Sequence, residues 1–279
     1  MKILCSIILF KPNWDNVKSL LEDMSKYIDD FFLWDNTPGG CGKDVFLGYV
    51  ISRRGEYGGN LGLSHAYNEA WKYASENGYD YLMTMDQDSH WVGLDAYISQ
   101  ISSHESITKF NTVYFASTSA GNDTPFTYIY SGGINSGAVI PIRFLNEIGG
   151  YNTDFFVDAI DDWLMLEASK HHLLCLLVGN SHIVQKYGEG GYGRFLGRSF
   201  KVANYSPMRL YGIMRNYLIL WHDYPLSKET KKKILIDFFL TWFAKIVLGE
   251  SNKWKKLSAM FAGIFDGMFH RPSRREKYA

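Results

Sequence analysis

Three short apolar runs set the frame for this chain: "KILCSIILF" (residues 2–10), "FFLW" (31–34) and "YLMTM" (81–85), each followed at once by polar or acidic residues. The segments between them carry helical periodicity instead. Residues 14–28 place Val17, Leu20, Leu21 and Met24 on one face, and residues 61–78 space Ala66, Ala70 and Ala74 four apart before a stop at Gly78. "VFLGYVIS" (45–52) reads as a further strand. The order strand, helix, strand, strand, helix, strand predicts an α/β chain with a mostly parallel sheet flanked by helices. Ligands bind such sheets beyond the carboxyl ends of the strands. Asp35 and Asn36 close one strand and Asp86 closes another, so both clusters should open on the same edge.

Residues 107–158 are richer in Gly, Ser, Thr and Asn, which predicts loops around short strands. A helix starts near Ile160, and helical patterns dominate beyond Tyr205. The expected division is a sheet domain over 1–204 and a helical region over 205–279. The formal net charge of zero hides an asymmetry: from Leu226 to Ala279 there are 12 Lys and Arg against 5 Asp and Glu, and the remainder holds 17 against 24. Three cysteines without CxxC spacing argue against a disulfide framework or zinc cluster and fit a reducing cytoplasm. The first apolar run is too short for a signal peptide and lacks a small-residue cleavage site, so it reads as a strand. No apolar segment reaches the roughly 20 residues a bilayer span requires.

Four constellations carry chemistry. Asp86-Gln87-Asp88 ends a strand with two carboxylates one residue apart; hard oxygen ligands at that spacing suit Mg²⁺ or Mn²⁺ shared with substrate phosphates, and a solvated turn is the plain alternative. Asp35-Asn36, in "LWDNTPGG", is either a turn or a carboxylate placed to accept the imide N–H of a uracil or thymine ring. Gly58, Gly59 and Asn60 precede a helix, where they serve as a simple cap or as an anion site. In "FFVDAIDDWLMLEA" (155–168), Asp158, Asp161 and Asp162 suit a helix's first turn by dipole alone, and Asp161 also suits a general base that deprotonates a hydroxyl nucleophile. The C-terminal region mixes Lys and Arg with aromatic bulk, which fits a packed amphipathic helix or one lying in a membrane interface. Nucleic acid is a poorer fit, because the apolar content exceeds what phosphate contact needs. No HExxH, GxSxG, CxxC or Walker motif occurs.

Taken in order, "WDNTPG", "GGNLGLSHAYNEAW", "YDYLMTMDQDS", "SGGINSGAVI", "IGGYNTDFFVDAIDDWLMLEA", "SPMRLYGIMRNYLIL" and "GIFDGMFHRP" resemble the family 2 inverting glycosyltransferases, in particular their bacterial rhamnosyltransferase-like branch, which builds surface polysaccharides. The resemblance implies a GT-A fold (a Rossmann-like nucleotide-diphospho-sugar transferase) and a dTDP- or UDP-linked sugar donor. It also implies a Mg²⁺ or Mn²⁺ cofactor and a saccharide acceptor carried on a lipid, met on the inner face of the cell membrane through the C-terminal region. By position it assigns Asp35, Asn36, Asn60, Asp86, Arg209, Arg215 and Asn216 to the donor. Asp86 and Asp88 would hold the metal, with His182 or Gln185 completing the set, because Gln185 stands where relatives carry a metal-binding His. Asp161 resembles the catalytic base, and Ser136, Gly137 and Asp158 fall in the acceptor region. Trp163 and Glu167 depart from the acid and the Arg usual at their places. Two other classes compete. A sugar-phosphate nucleotidyltransferase would need a Gly-rich basic loop after the first strand, and "LFKPNWDN" is not one. A catalytically degenerate transferase that only binds saccharide or a partner is the other.

Overall fold

A computed structural model describes the chain except for residues 29, 42–49, 55–58, 186–190, 196–197 and 279. It divides into two compact units, residues 1–156 with 160–186, and residues 157–159 with 187–279. The expected boundary at 204 therefore moves: the β-hairpin after residue 186 belongs with the helices.

The first unit opens with β1 (Ile3–Leu9), α1 (Trp14–Met24), β2 (Asp30–Asp35), β3 (Val50–Arg54), α2 (Leu63–Glu76) and β4 (Tyr81–Asp86). Residues 45–49 of the expected "VFLGYVIS" strand lie outside the described residues. The unit continues through β5 (His90–Val92), α3 (Leu94–Thr108), β6 (Thr112–Ala116), β7 (Phe126–Tyr128), β8 (Ala138–Pro141), α4 (Ile142–Ile148), α5 (Ile160–Lys170), β9 (Leu174–Val178) and β10 (His182–Val184). The main sheet runs β3-β2-β1-β4-β8-β6-β9-β7. β3, β2, β1 and β4 are all parallel, as are β6 and β9, whereas β8 runs against both its neighbours and β7 against β9.

Local chemistry explains the early elements. Asn13 caps α1 by accepting from the N–H groups of Asp15 and Asn16. Val17, Leu20, Leu21 and Met24 then form the stripe that packs on the sheet, joined by Ile7, Leu9, Phe31, Leu33 and Met85 in one buried cluster. Each such side chain contributes about 1.5–3 kcal/mol through burial. Register decides where the acids go. Leu9 pairs with Asp35 on one side, and its neighbour Ile8 pairs with Asp86 on the other. The two carboxylate-bearing strand ends therefore flank β1 about 10 Å apart, two strand spacings.

The second unit holds the hairpin β11 (Gly191–Phe195) and β12 (Arg198–Val202), then α6 (Pro207–Asp223), α7 (Lys228–Ile234), a π-helical turn over Leu235–Thr241, α8 (Trp242–Gly249) and α9 (Lys253–Met268). α9 lies close on α6 because Gly263 and Gly267 face the α6 backbone; a Cβ on Gly267 would meet the Arg215 carbonyl oxygen at 2.6 Å. Gly193 and Gly249 give the hairpin and α8 the same close approach. Asp266 is fully buried; it accepts from the Arg274 guanidinium at 2.7 and 2.6 Å and from the Tyr211 hydroxyl at 2.8 Å. No described helix is long and apolar enough to cross a membrane.

Candidate active site

The acidic motif after β4 forms a tight turn, with the Ser89 N–H donating to the Asp86 carbonyl at 3.3 Å. Its three side chains part ways. Gln87 clamps the turn to the end of β1, donating to the Phe10 carbonyl and accepting the Phe10 N–H, both at 2.9 Å. Asp88 is exposed and Asp86 is half-buried. Ser136 accepts the Asp86 N–H at 3.2 Å and donates to Ser89 Oγ at 3.0 Å, fixing the turn from below. Gly137 follows at φ +79°. Its N–H donates to the Thr84 carbonyl at 2.6 Å, and its carbonyl accepts the Tyr97 hydroxyl at 2.6 Å. Ser136 and Gly137 are both buried and brace the Asp86 strand end.

The antiparallel pairing of β10 with β5 decides between His182 and Gln185. His182 and Val184 share one face of β10, whereas Ile183 and Gln185 lie on the other, with Ile183 packed into the core beside the Asp86 turn. Gln185 accordingly donates its amide N–H to Asp86 Oδ2, while His182 is directed away from it. The side chain beside Asp86 is the amide. Among the described residues no group of three or more His, Cys, Asp and Glu could hold a metal ion. The donor set still fits Mg²⁺ or Mn²⁺: these ions take one or two carboxylates and fill the remaining positions with phosphate and water oxygens. Asp86 and Asp88 would hold the ion, with Gln185 as the neighbour that turns its amide oxygen inward or stays outside.

Asp35 organises its own turn. Its carboxylate accepts the N–H of Thr37 and of Cys41, each at 2.8 Å. Burial alone would raise its pKa, but those backbone hydrogen bonds prevail and hold it below the ordinary carboxylate value. Asn36 is 2% exposed. Its Oδ1 accepts from Trp34 Nε1 at 3.0 Å and the Leu61 N–H at 3.2 Å, and its Nδ2 donates to the Gly62 carbonyl at 3.1 Å. The amide is spent on tying β2 to the α2 loop, so Asn36 acts by positioning. Asn60 Oδ1 accepts the Gly62 N–H at 2.9 Å, and the Phe156 carbonyl takes the Leu63 N–H at 2.7 Å. The N–H groups of Leu61, Gly62 and Leu63 are thus paired at this helix start, although no side chain caps α2 from Gly62. Gly58 of that motif lies outside the described residues.

What α2 does instead is grip the segment leading to Asp161. Ser64 Oγ donates to the Phe155 carbonyl at 2.5 Å, and Asn68 bonds both ways with the Tyr151 backbone at 2.7 and 2.8 Å. Gly150, at φ +85°, has no room for a Cβ, which would lie 2.5 Å from Asn68 Oδ1. Asp161 then sits half-buried in the first turn of α5, its carboxylate accepting the Asp162 N–H at 3.1 Å. Below it Ile160, Leu164 and Ala168 are fully buried at fourfold spacing. Trp163 packs by Tyr151 and Phe155, and Glu167 meets Lys170 and His171, so both sequence departures serve local packing. Tyr67, on α2, is a residue the sequence reading missed. It is fully buried, and among the described residues its hydroxyl has no hydrogen-bond partner. Its pKa is pushed well up, by burial first and then by the negative charges of Asp86 and Asp161. Asp86 and Asp161 therefore both bear on the Tyr67 hydroxyl.

In the second unit, Asp158 is nearly buried and Arg209 donates from Nε to its Oδ1 at 3.0 Å. Burial raises the Asp158 pKa, and the Arg209 charge offsets part of that. Arg209 also stacks its guanidinium 4.1 Å from the centre of the Tyr205 ring. Arg215 and Asn216 are both 2% exposed. Arg215 donates to the Arg271 carbonyl at 3.2 and 3.1 Å, and Asn216 donates to the Asp158 carbonyl at 2.8 Å. Asn216 thus braces the Asp158–Ala159 link, and Arg215 holds Arg271 and donates to Asn216 Oδ1 at 3.3 Å. Ala159 holds φ +69°, a conformation costing an alanine about 1–2 kcal/mol, two residues before Asp161.

No protein-family model matches this sequence, and no curated protein matches it significantly. Solved structures do. S. aureus TarS (residues 1–349) superposes with a TM-score of 0.59 at 13% identity, over 100% of this chain and 83% of that one. GalNAc-T7, solved with UDP, GalNAc and Mn²⁺, gives 0.58 at 13% identity, over 98% of this chain and 58% of that one. The chain thus spans little more than half the length of the second neighbour. At 13% identity both likenesses are of fold alone. The chain has the GT-A glycosyltransferase fold.

Proposed function

We propose that this protein is an inverting glycosyltransferase, moving rhamnose or another hexose from a UDP- or dTDP-linked donor to a saccharide hydroxyl on a lipid-linked acceptor in surface polysaccharide synthesis. The observation that carries the reading is the buried Tyr67 of α2, on which the charges of Asp86, at the end of β4, and Asp161, in the first turn of α5, both act. The GalNAc-T7 structure, with UDP and Mn²⁺ in the same fold, supports a nucleoside diphosphate at that edge.

A divalent cation, when bound, would neutralise the charge of the departing diphosphate. Asp86 and Asp88 supply its protein oxygens. Asp35 stands on the other side of β1, ionised by its backbone hydrogen bonds, with lone pairs left for a pyrimidine imide N–H. Asp161 accepts the proton of the acceptor hydroxyl as that oxygen bonds to the anomeric carbon, and the carbon–oxygen bond to the diphosphate breaks on the opposite face. Asn36 holds β2 to the loop before α2, and Asn68 holds the segment that leads to Asp161. The helical region 205–279 is assigned to acceptor and membrane.

A second reading has one observation behind it. The Gln185 amide donates to Asp86, and this would suit a protein that binds saccharide without metal-assisted turnover. Nucleoside-diphosphate release from UDP- and dTDP-sugars, with Mn²⁺ and a panel of saccharide acceptors, separates the two. Asp161→Asn should lose about 10²–10⁴-fold in release while donor binding persists. Release that is equal in wild type and variant removes Asp161 from the chemistry.

A further inference from the structure

In the second unit, α9 is apolar on two faces. One packs on α6 through Ala259, Met260, Gly263 and Gly267. The other carries Trp254, Phe261, Phe265 and Met268, spaced i, i+7, i+11 and i+14 so that they form one stripe, with Phe269 at its end. Trp254 is 86% exposed, and the other four are 44–57% exposed. Phe243 of α8 widens the stripe, its ring centre 6.5 Å from that of Phe261. A contiguous outward apolar surface of this kind marks an interaction site.

Charge says what covers it. Lys253 and Lys255 are exposed beside Trp254, and the Arg271 guanidinium lies 4.6 Å above the Phe265 ring. Glu250 is buried against Lys256 at 2.8 Å and Asp266 against Arg274, while the exposed Asp223 is paired with His270 at 2.8 Å. Two copies facing each other through this surface would bring like charges together. A negatively charged bilayer complements both features, taking the aromatic stripe at the headgroup boundary and the cations at its phosphates. Since no described helix can cross a membrane, such contact is interfacial.

We infer that the α9 stripe, with Phe243 and the flanking Lys253, Lys255 and Arg271, is a docking surface for an anionic phospholipid bilayer. This deepens the proposed function by naming the surface at which a lipid-linked acceptor would be met, and rests on that reading only for its purpose.

The test is co-sedimentation of the full chain with vesicles of phosphatidylcholine alone or of equal parts phosphatidylcholine and phosphatidylglycerol, with Trp254 emission as a second readout. Wild type should bind the anionic vesicles with a blue shift and release in high salt. Phe261→Ser with Phe265→Ser, and separately Lys253→Glu with Lys255→Glu, should each weaken binding about tenfold or more. Equal binding to both vesicle types, no binding, or binding unaffected by either double variant overturns the inference. So does a wild-type dimer in sedimentation velocity that the Phe variant abolishes, since that assigns the stripe to a second copy. UDP and dTDP titrations of the same variants engage the first unit, so a failed donor reading is told apart from a failed docking surface.

Discussion

Gly137 joins the two things the candidate site needs, a strand end at β4 and a β10 strand that delivers Gln185. Replacing it with Ala perturbs both. The backbone sits at φ +79°, where an L side chain costs about 1–2 kcal/mol. The new Cβ would also lie 2.5 Å from Ile183 Cδ1, 2.8 Å from Trp91 Cζ2 and 2.9 Å from Ala116 Cβ. Overpacking of that kind costs about 1–3 kcal/mol more. Gly137→Ala should therefore lose about 2–5 kcal/mol. Gly132 is the internal control: its φ is +80° and nothing lies within 4 Å of an added Cβ, so Gly132→Ala should lose only the backbone part. Urea unfolding of both variants reads the difference directly. Shortening the obstructing side chain adds a coupling test. Ile183→Val alone costs about 0.5–1.5 kcal/mol but should cost less, or stabilise, in the Gly137→Ala background. Equal losses at Gly132 and Gly137, with no coupling to Ile183, would refute the claim that tight packing holds β10 against the Asp86 turn.

Two further outcomes follow from the site. The Asp35 carboxyl is held below its ordinary value, so the stability it contributes is present above about pH 4 and lost as pH falls through the folded-state pKa; urea midpoints across that acid range should fall less steeply for Asp35→Asn than for wild type, and parallel curves would contradict this. Gln185→His would replace the amide beside Asp86 with an imidazole ligand, so Mn²⁺ should bind more tightly in the presence of UDP or dTDP by calorimetry, and unchanged affinity would remove residue 185 from the ion's surroundings.

The strands that carry the acids were legible because an apolar run followed by a carboxylate is a local pattern, and the α2 stripe because its alanines recur every four residues. The shared edge for Asp35 and Asp86 followed from parallel order alone, and the register of β1 realises it. The braces were not legible. Gln87 holds Phe10 across 77 residues, Asn68 holds Tyr151 across 83 and Asn216 holds Asp158 across 58, and nothing near any of these amides in sequence announces a partner so distant. The same limit hides the burial of Ser136, Gly137, Arg215 and Asn216, which their local sequence does not encode. The insertion of β8 against β4, and the hairpin's place among the helices, depend on pairings that local periodicity does not encode.

Asp86 and Asp88 are proposed to bind a nucleoside diphosphate through a divalent cation. Calorimetric titration with UDP and with dTDP, each with and without Mn²⁺, tests it on wild type and on Asp86→Ala with Asp88→Ala. The account predicts Mn²⁺-dependent binding of at least one nucleotide by wild type, lost in the double variant. Binding that needs no metal and survives both substitutions, or no binding of either nucleotide by wild type, would contradict it.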